Sequence, residues 1–76
     1  MSKMNPVVHF ELPAETHVSL KIYNTLGQEV QSVLDETRAA GRYDIHIDGS
    51  SLASGVYYYR LNAGSFLRTM KIILAK

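Results

Sequence analysis

Three histidines, His9, His17 and His46, are the first residues in this chain with types that could do chemistry, because imidazole is a common zinc ligand. Zinc requires further ligands close by, and none of the three has one at a ligating spacing. His9 and His46 instead fall on the polar side of alternating apolar runs, as solvated strand residues do. No metal site is expected. Ser50, Ser51 and Ser54 lie near His46 and Asp48 and together offer the side chains of a nucleophile, its base and an orienting acid. That chemistry needs a strained turn presenting the serine and a framework around a pocket, and this stretch of small residues has neither. The carboxylate pairs Asp35 with Glu36 and Asp44 with Asp48 lack the apolar surroundings that would keep one member protonated for acid catalysis. The run Tyr57, Tyr58, Tyr59 is the strongest local oddity. On a strand it places Tyr57 and Tyr59 on one face and Tyr58 on the other. One of those faces could stack on a sugar, and the alternative is that the rings cover the core of a small domain. No catalytic residue and no cofactor is expected.

The elements that would carry these residues are strands. Val8, Phe10 and Leu12 alternate with His9 and Glu11 until Pro13 closes the segment. Residues 18–23 alternate again, residues 24–27 form a tight turn in which Gly27 accepts positive φ, and residues 28–34 resume a weaker strand. A competing pattern exists here: Val18, Ile22, Leu26, Val30 and Leu34 recur every fourth residue and would form one stripe on a long helix. Asn24, Thr25 and Gly27 in its middle, with the β-branched residues before them, favour the strand pair. Residues 35–41 read as a polar loop and residues 43–48 as a strand. Residues 49–55 form a small-residue loop in which Leu52 is the one large apolar side chain, expected to plug the end of the core. Residues 56–62 and 66–75 make two more strands around a short turn at Ala63, Gly64 and Ser65. Short strands separated by turn signals, with the one helical stripe disfavoured, predict an all-β fold: a small antiparallel sandwich of about seven strands.

Size and charge narrow the function further. The chain has 76 residues and no cysteine, so one small domain must hold itself together by apolar packing and a complete backbone ladder, with little room for a catalytic cleft. A formal net charge of +1, without a basic run, argues against nucleic acid as a partner. No apolar run is long enough to span a bilayer as a helix, and the first residues do not resemble a cleaved export signal. Residues 1–4 carry no pattern and are set apart, as an added start or the end of an upstream linker.

Several segments together resemble a known family. They are Asn5-Pro6, the run Phe10-Glu11-Leu12-Pro13, the stretch from Val18 through Tyr23-Asn24-Thr25-Leu26-Gly27-Gln28-Glu29-Val30, the loop Leu52-Ala53-Ser54-Gly55-Val56-Tyr57, then Tyr59-Arg60-Leu61, and the ending Lys71-Ile72-Ile73-Leu74-Ala75-Lys76. In combination they resemble the type A C-terminal sorting domain of the type IX secretion system, over nearly the whole chain from Asn5. A similar pattern occurs in the immunoglobulin-like domain of flagellar hook-capping proteins.

The resemblance implies a C-terminal module, residues 5–76, of a larger exported protein of Bacteroidota and related bacteria, folded as an immunoglobulin-like or fibronectin-like sandwich. It implies an upstream cargo domain in the same polypeptide, an outer-membrane secretion translocon that reads the module, and a sortase-like peptidase that often removes it. The route would run through the periplasm to the cell surface or the medium. Carried over by residue, the terminal sorting motif falls on Lys71, Leu74 and Lys76, and a Gly-x-Tyr element on Gly55 and Tyr57. Gly55 would supply a turn conformation and Tyr57 an anchor beside Leu52. Lys71 has two readings, a receptor contact or an edge-strand charge that discourages aggregation. Met4 stands where the family usually has a proline, so no cleavage site is assigned. Two other functions fit a domain of this kind: attachment to carbohydrate or a cell surface through Tyr57, Tyr58 or Tyr59, and immunoglobulin-like structural assembly.

Overall fold

The computed structural model describes residues 6–75, and within them every regular element is a strand. In chain order these are β1 (Val7–Leu12), β2 (Thr16–Tyr23), β3 (Glu29–Arg38), β4 (Gly41–His46), β5 (Gly55–Ala63) and β6 (Phe66–Leu74). Strands β1 and β4 form a two-stranded antiparallel sheet, and the other four form an antiparallel sheet in the order β3-β2-β5-β6. Six strands thus stand among the described residues where about seven are expected from the sequence.

The alternation that marks each strand also builds the core. Val18, Leu20 and Ile22 of β2 and Tyr57, Tyr59, Leu61 and Ala63 of β5 line the inner face of the central strand pair. Val8 and Leu12 of β1 pack on them from the smaller sheet, with Phe10, Tyr43 and Ile45 half-buried alongside. Leu52 is buried in the same cluster, as its isolation in a loop of small residues predicts. The polar faces pair across strands: the register partners His9 and Asp44 approach to 2.6 Å, and Glu11 faces Arg42 at 3.9 Å.

One alternative falls away and two expectations change. The stripe that would have made a helix is broken by Leu26, which is 81% exposed at the tip of the β2–β3 hairpin. There the Asn24 side-chain carbonyl accepts from the backbone N–H groups of Leu26 and Gln28, and Gly27 takes φ of 83°, so local turn bonding outcompetes helix. The expected polar loop at 35–41 is shorter, because β3 continues through Arg38. Thr16 to Ser19 of β2 supply backbone partners for Arg38 to Asp35, and on an edge strand polar side chains remain solvated. Finally, β4 ends at His46, and the Ile47 N–H donates instead to the Pro6 carbonyl (2.8 Å), which turns the buried Ile47 side chain into the core beside β1.

Candidate functional site

The two segments that carry the terminal motif and the Gly-x-Tyr element are distant in sequence and adjacent in space. A turn at Gly64 and Ser65 folds β6 back on β5 in uninterrupted register, so Leu74 pairs with Gly55, Ile72 with Tyr57 and Lys71 with Tyr58. Alternation then divides the ending. Leu74 points inward and is 2% exposed, whereas Lys71 and Ile73 face solvent on the outer side. Lys76 lies outside the described residues.

Local chemistry explains what holds this corner together. Gly55 opens β5 with φ of 154°, a conformation that L side chains rarely adopt, so glycine there lets the chain enter the strand directly opposite Leu74. Two residues on, the Tyr57 hydroxyl donates to the Ala53 carbonyl at 2.7 Å, closing the loop over its own strand. That hydroxyl gives the buried ring a satisfied polar end. Gly49 completes the corner. It is buried, and a Cβ on it would lie 3.0 Å from Leu74 Cδ1, so any larger residue there would push the tip of the leucine aside by a few tenths of an ångström. By sequence Gly49 is one small residue of the 49–55 loop among several. Nothing in the spacing of the chain shows that it meets a side chain 25 positions away.

The tyrosines divide as the strand period requires. Tyr57 and Tyr59 are core residues, at 9% and 7% exposure, which removes them as a ligand face. Tyr58 remains on the outside, next to a shallow depression of about 340 Å³ bordered by Tyr23, Asn24, Arg60 and Thr69. The Arg60 guanidinium sits over the Tyr23 ring at 5.2 Å. Gly27, the remaining motif glycine, lies across that depression in the β2–β3 turn.

The histidines do not converge. His9 pairs with Asp44 on the smaller sheet and His17 Nε2 lies 2.6 Å from Asp35 Oδ1 on the larger one. Among the described residues no group of three or more His, Asp or Glu side chains could hold a metal ion. Ser50 bonds through its backbone N–H to Asp48 Oδ1 at 3.0 Å, an Asx-type turn that gives Asp48 a structural task. No helix of the described chain is long and apolar enough to cross a membrane.

A charge asymmetry is visible once the strands are laid out. After Asp48 the chain contains no acidic side chain, only the cations Arg60, Arg68, Lys71 and Lys76. All seven acidic residues lie before that point. Looking for runs of charge misses this, because the cations are spaced several residues apart, and counting by element finds it.

Fold and site thus define a small all-β module whose conspicuous motif residues brace one strand pair. The chain matches, over residues 4–75, the family model described as a secretion system C-terminal sorting domain, and it belongs to that family. The family is that of type IX sorting signals, a targeting role and not a catalytic one, and such a signal implies export. Comparison with curated proteins and with solved structures finds no match.

Proposed function

We propose that residues 5–76 act as a folded address label, which directs an upstream cargo domain of the same polypeptide through the periplasm to the type IX translocon and on to the cell surface or medium. A sortase-like peptidase is the expected processing partner. The observation that carries this reading is the family match over residues 4–75, joined to the position of Lys71, solvent-facing on a strand whose end is held by buried Leu74. In this division of labour Leu74, Gly55 and Tyr57 keep the strand in place, and Lys71, with Lys76, meets the receptor. The fold behind it is immunoglobulin-like. The order β3-β2-β5-β6 opposite β1-β4 supports this, as does Tyr57 near the start of β5, bonded to a carbonyl four residues upstream in the manner of a tyrosine corner.

The test is to fuse the 76-residue chain to a periplasm-directed reporter in a host with this secretion system. Surface or extracellular delivery is expected with the domain and not without it, and equal delivery in both cases overturns the reading. Lys71→Ala isolates the motif: the exposed side chain is dispensable for folding, so the purified variant should keep its unfolding midpoint while delivery falls.

A further inference from the structure

The larger sheet ends in two free edges that differ in kind. The β3 edge is irregular: two register shifts break its ladder, between Leu20 and Lys21 and between Ile22 and Tyr23. It carries Glu29, Asp35, Glu36 and Arg38, of which Glu36 and Arg38 pair at 2.6 Å. Bulges and charged side chains are the usual means of blunting an edge. The β6 edge has no bulge, and its two charges, Arg68 and Lys71, have the same sign. Its nine residues pair with β5 without a shift, it contains no proline, and it leaves Phe66, Leu67, Met70 and Ile73 about half or more exposed. Beside its first half a groove of about 400 Å³ opens between Phe66 and the end of β1 with the β1–β2 turn, and Glu11 and Glu15 are part of its lining. The edges of the smaller sheet belong to strands of six residues, with charged or histidine side chains alternating along each.

The only charges on β6 are cations. Arg68 lies on its inner side, over the Phe66 ring at 5.8 Å, and Lys71 lies on its outer side; neither pairs with a carboxylate among the described residues. Two copies of this strand laid edge to edge would bring cations against cations, which disfavours self-pairing. A strand bearing carboxylates would gain backbone hydrogen bonds along the edge, apolar contact with Phe66 and Met70, and a counter-charge for Lys71 and Arg68.

The geometry points to β6 as a strand-addition site for an extended, acidic segment of a partner protein, which completes the sheet as its fifth strand. Under this assignment Lys71 serves both of its readings, since the charge that repels a second copy also selects the partner. The inference concerns the isolated domain and stands apart from the sorting reading: peptide capture without reporter delivery would remove the sorting role alone.

The probe is a blocked nine-residue peptide alternating valine with glutamate, titrated into the 76-residue chain and compared with the same peptide carrying lysine for glutamate. The expected result is amide shifts and new hydrogen-exchange protection confined to β6 for the acidic peptide, with binding about tenfold tighter than for the basic one. The double variant Arg68→Glu with Lys71→Glu should reverse that preference, with circular dichroism confirming its fold. Equal affinity for both peptides, shifts centred on β1 or β4, or no binding at millimolar peptide overturns the assignment. Concentration-dependent dimerisation with the same β6 shifts also overturns it, in favour of self-pairing.

Discussion

Strands β3 and β6 both end the same sheet, and they are stabilised by different means. Strand β3 is pinned through its middle, by Leu34 opposite Leu20, and gives up regular pairing on the side toward Glu29. Strand β6 keeps regular pairing throughout and is pinned at its end, where Leu74 is gripped by Gly49 and faces Gly55. A strand anchored in the middle can be charged and irregular at no cost to its packing. A strand anchored at one end must hold its register to keep the anchor in place, and its outer half stays available. The second arrangement suits a surface that must be read, and the first suits one that must be left alone.

The sharpest way to break this comparison is to remove the anchors. Leu74→Ala should cost about 2–5 kcal/mol, the range for truncating a buried leucine. Hydrogen exchange should then open β6 separately from β2, whereas Leu34→Ala should loosen β3 on both sides of the substituted residue. Equal, global effects from the two would show that the edges are not held differently. Next in size, Gly55→Ala should cost about 1–3 kcal/mol through backbone strain alone, since no atom lies within 4 Å of the added methyl. Urea unfolding measures this, and an unchanged midpoint would mean that β5 can enter its pairing with Leu74 without glycine. Tyr57→Phe keeps the ring and removes its bond to Ala53, for a loss of about 1 kcal/mol in the same assay. The smallest effect on stability, within about 0.5 kcal/mol, is expected from replacing exposed Asp35 and Glu36 by valine. Its signature is colloidal: sedimentation should show β3-mediated association that the native chain lacks, and continued monodispersity would mean that charge is not what closes that edge.

Much of this was legible in the residues. The apolar alternation located all six strands, and the strand period alone separates Tyr58 from its neighbours. Strand boundaries were less legible where a polar segment borrows order from a partner, as Asp35 to Arg38 do from β2. The motif residues were visible as a list, but their mutual positions were not. That Gly55 faces Leu74 follows from hairpin register, and that Gly49 abuts Leu74 follows from how a loop closes in three dimensions. The exposure of β6 was hidden for another reason: its apolar content resembles that of a buried strand, and only its place at the edge of the larger sheet shows how much of it is uncovered.

The order of strands in the larger sheet also bears on how the domain assembles. The β2–β3 and β5–β6 pairs are hairpins and can form locally, but they are joined by a single seam, residues 18–23 of β2 against 58–63 of β5. Zipping that seam requires one long loop to close, with β4 and its connections inside it, so it sets the slow step of folding. Until it closes, the two hairpins of the larger sheet remain separate.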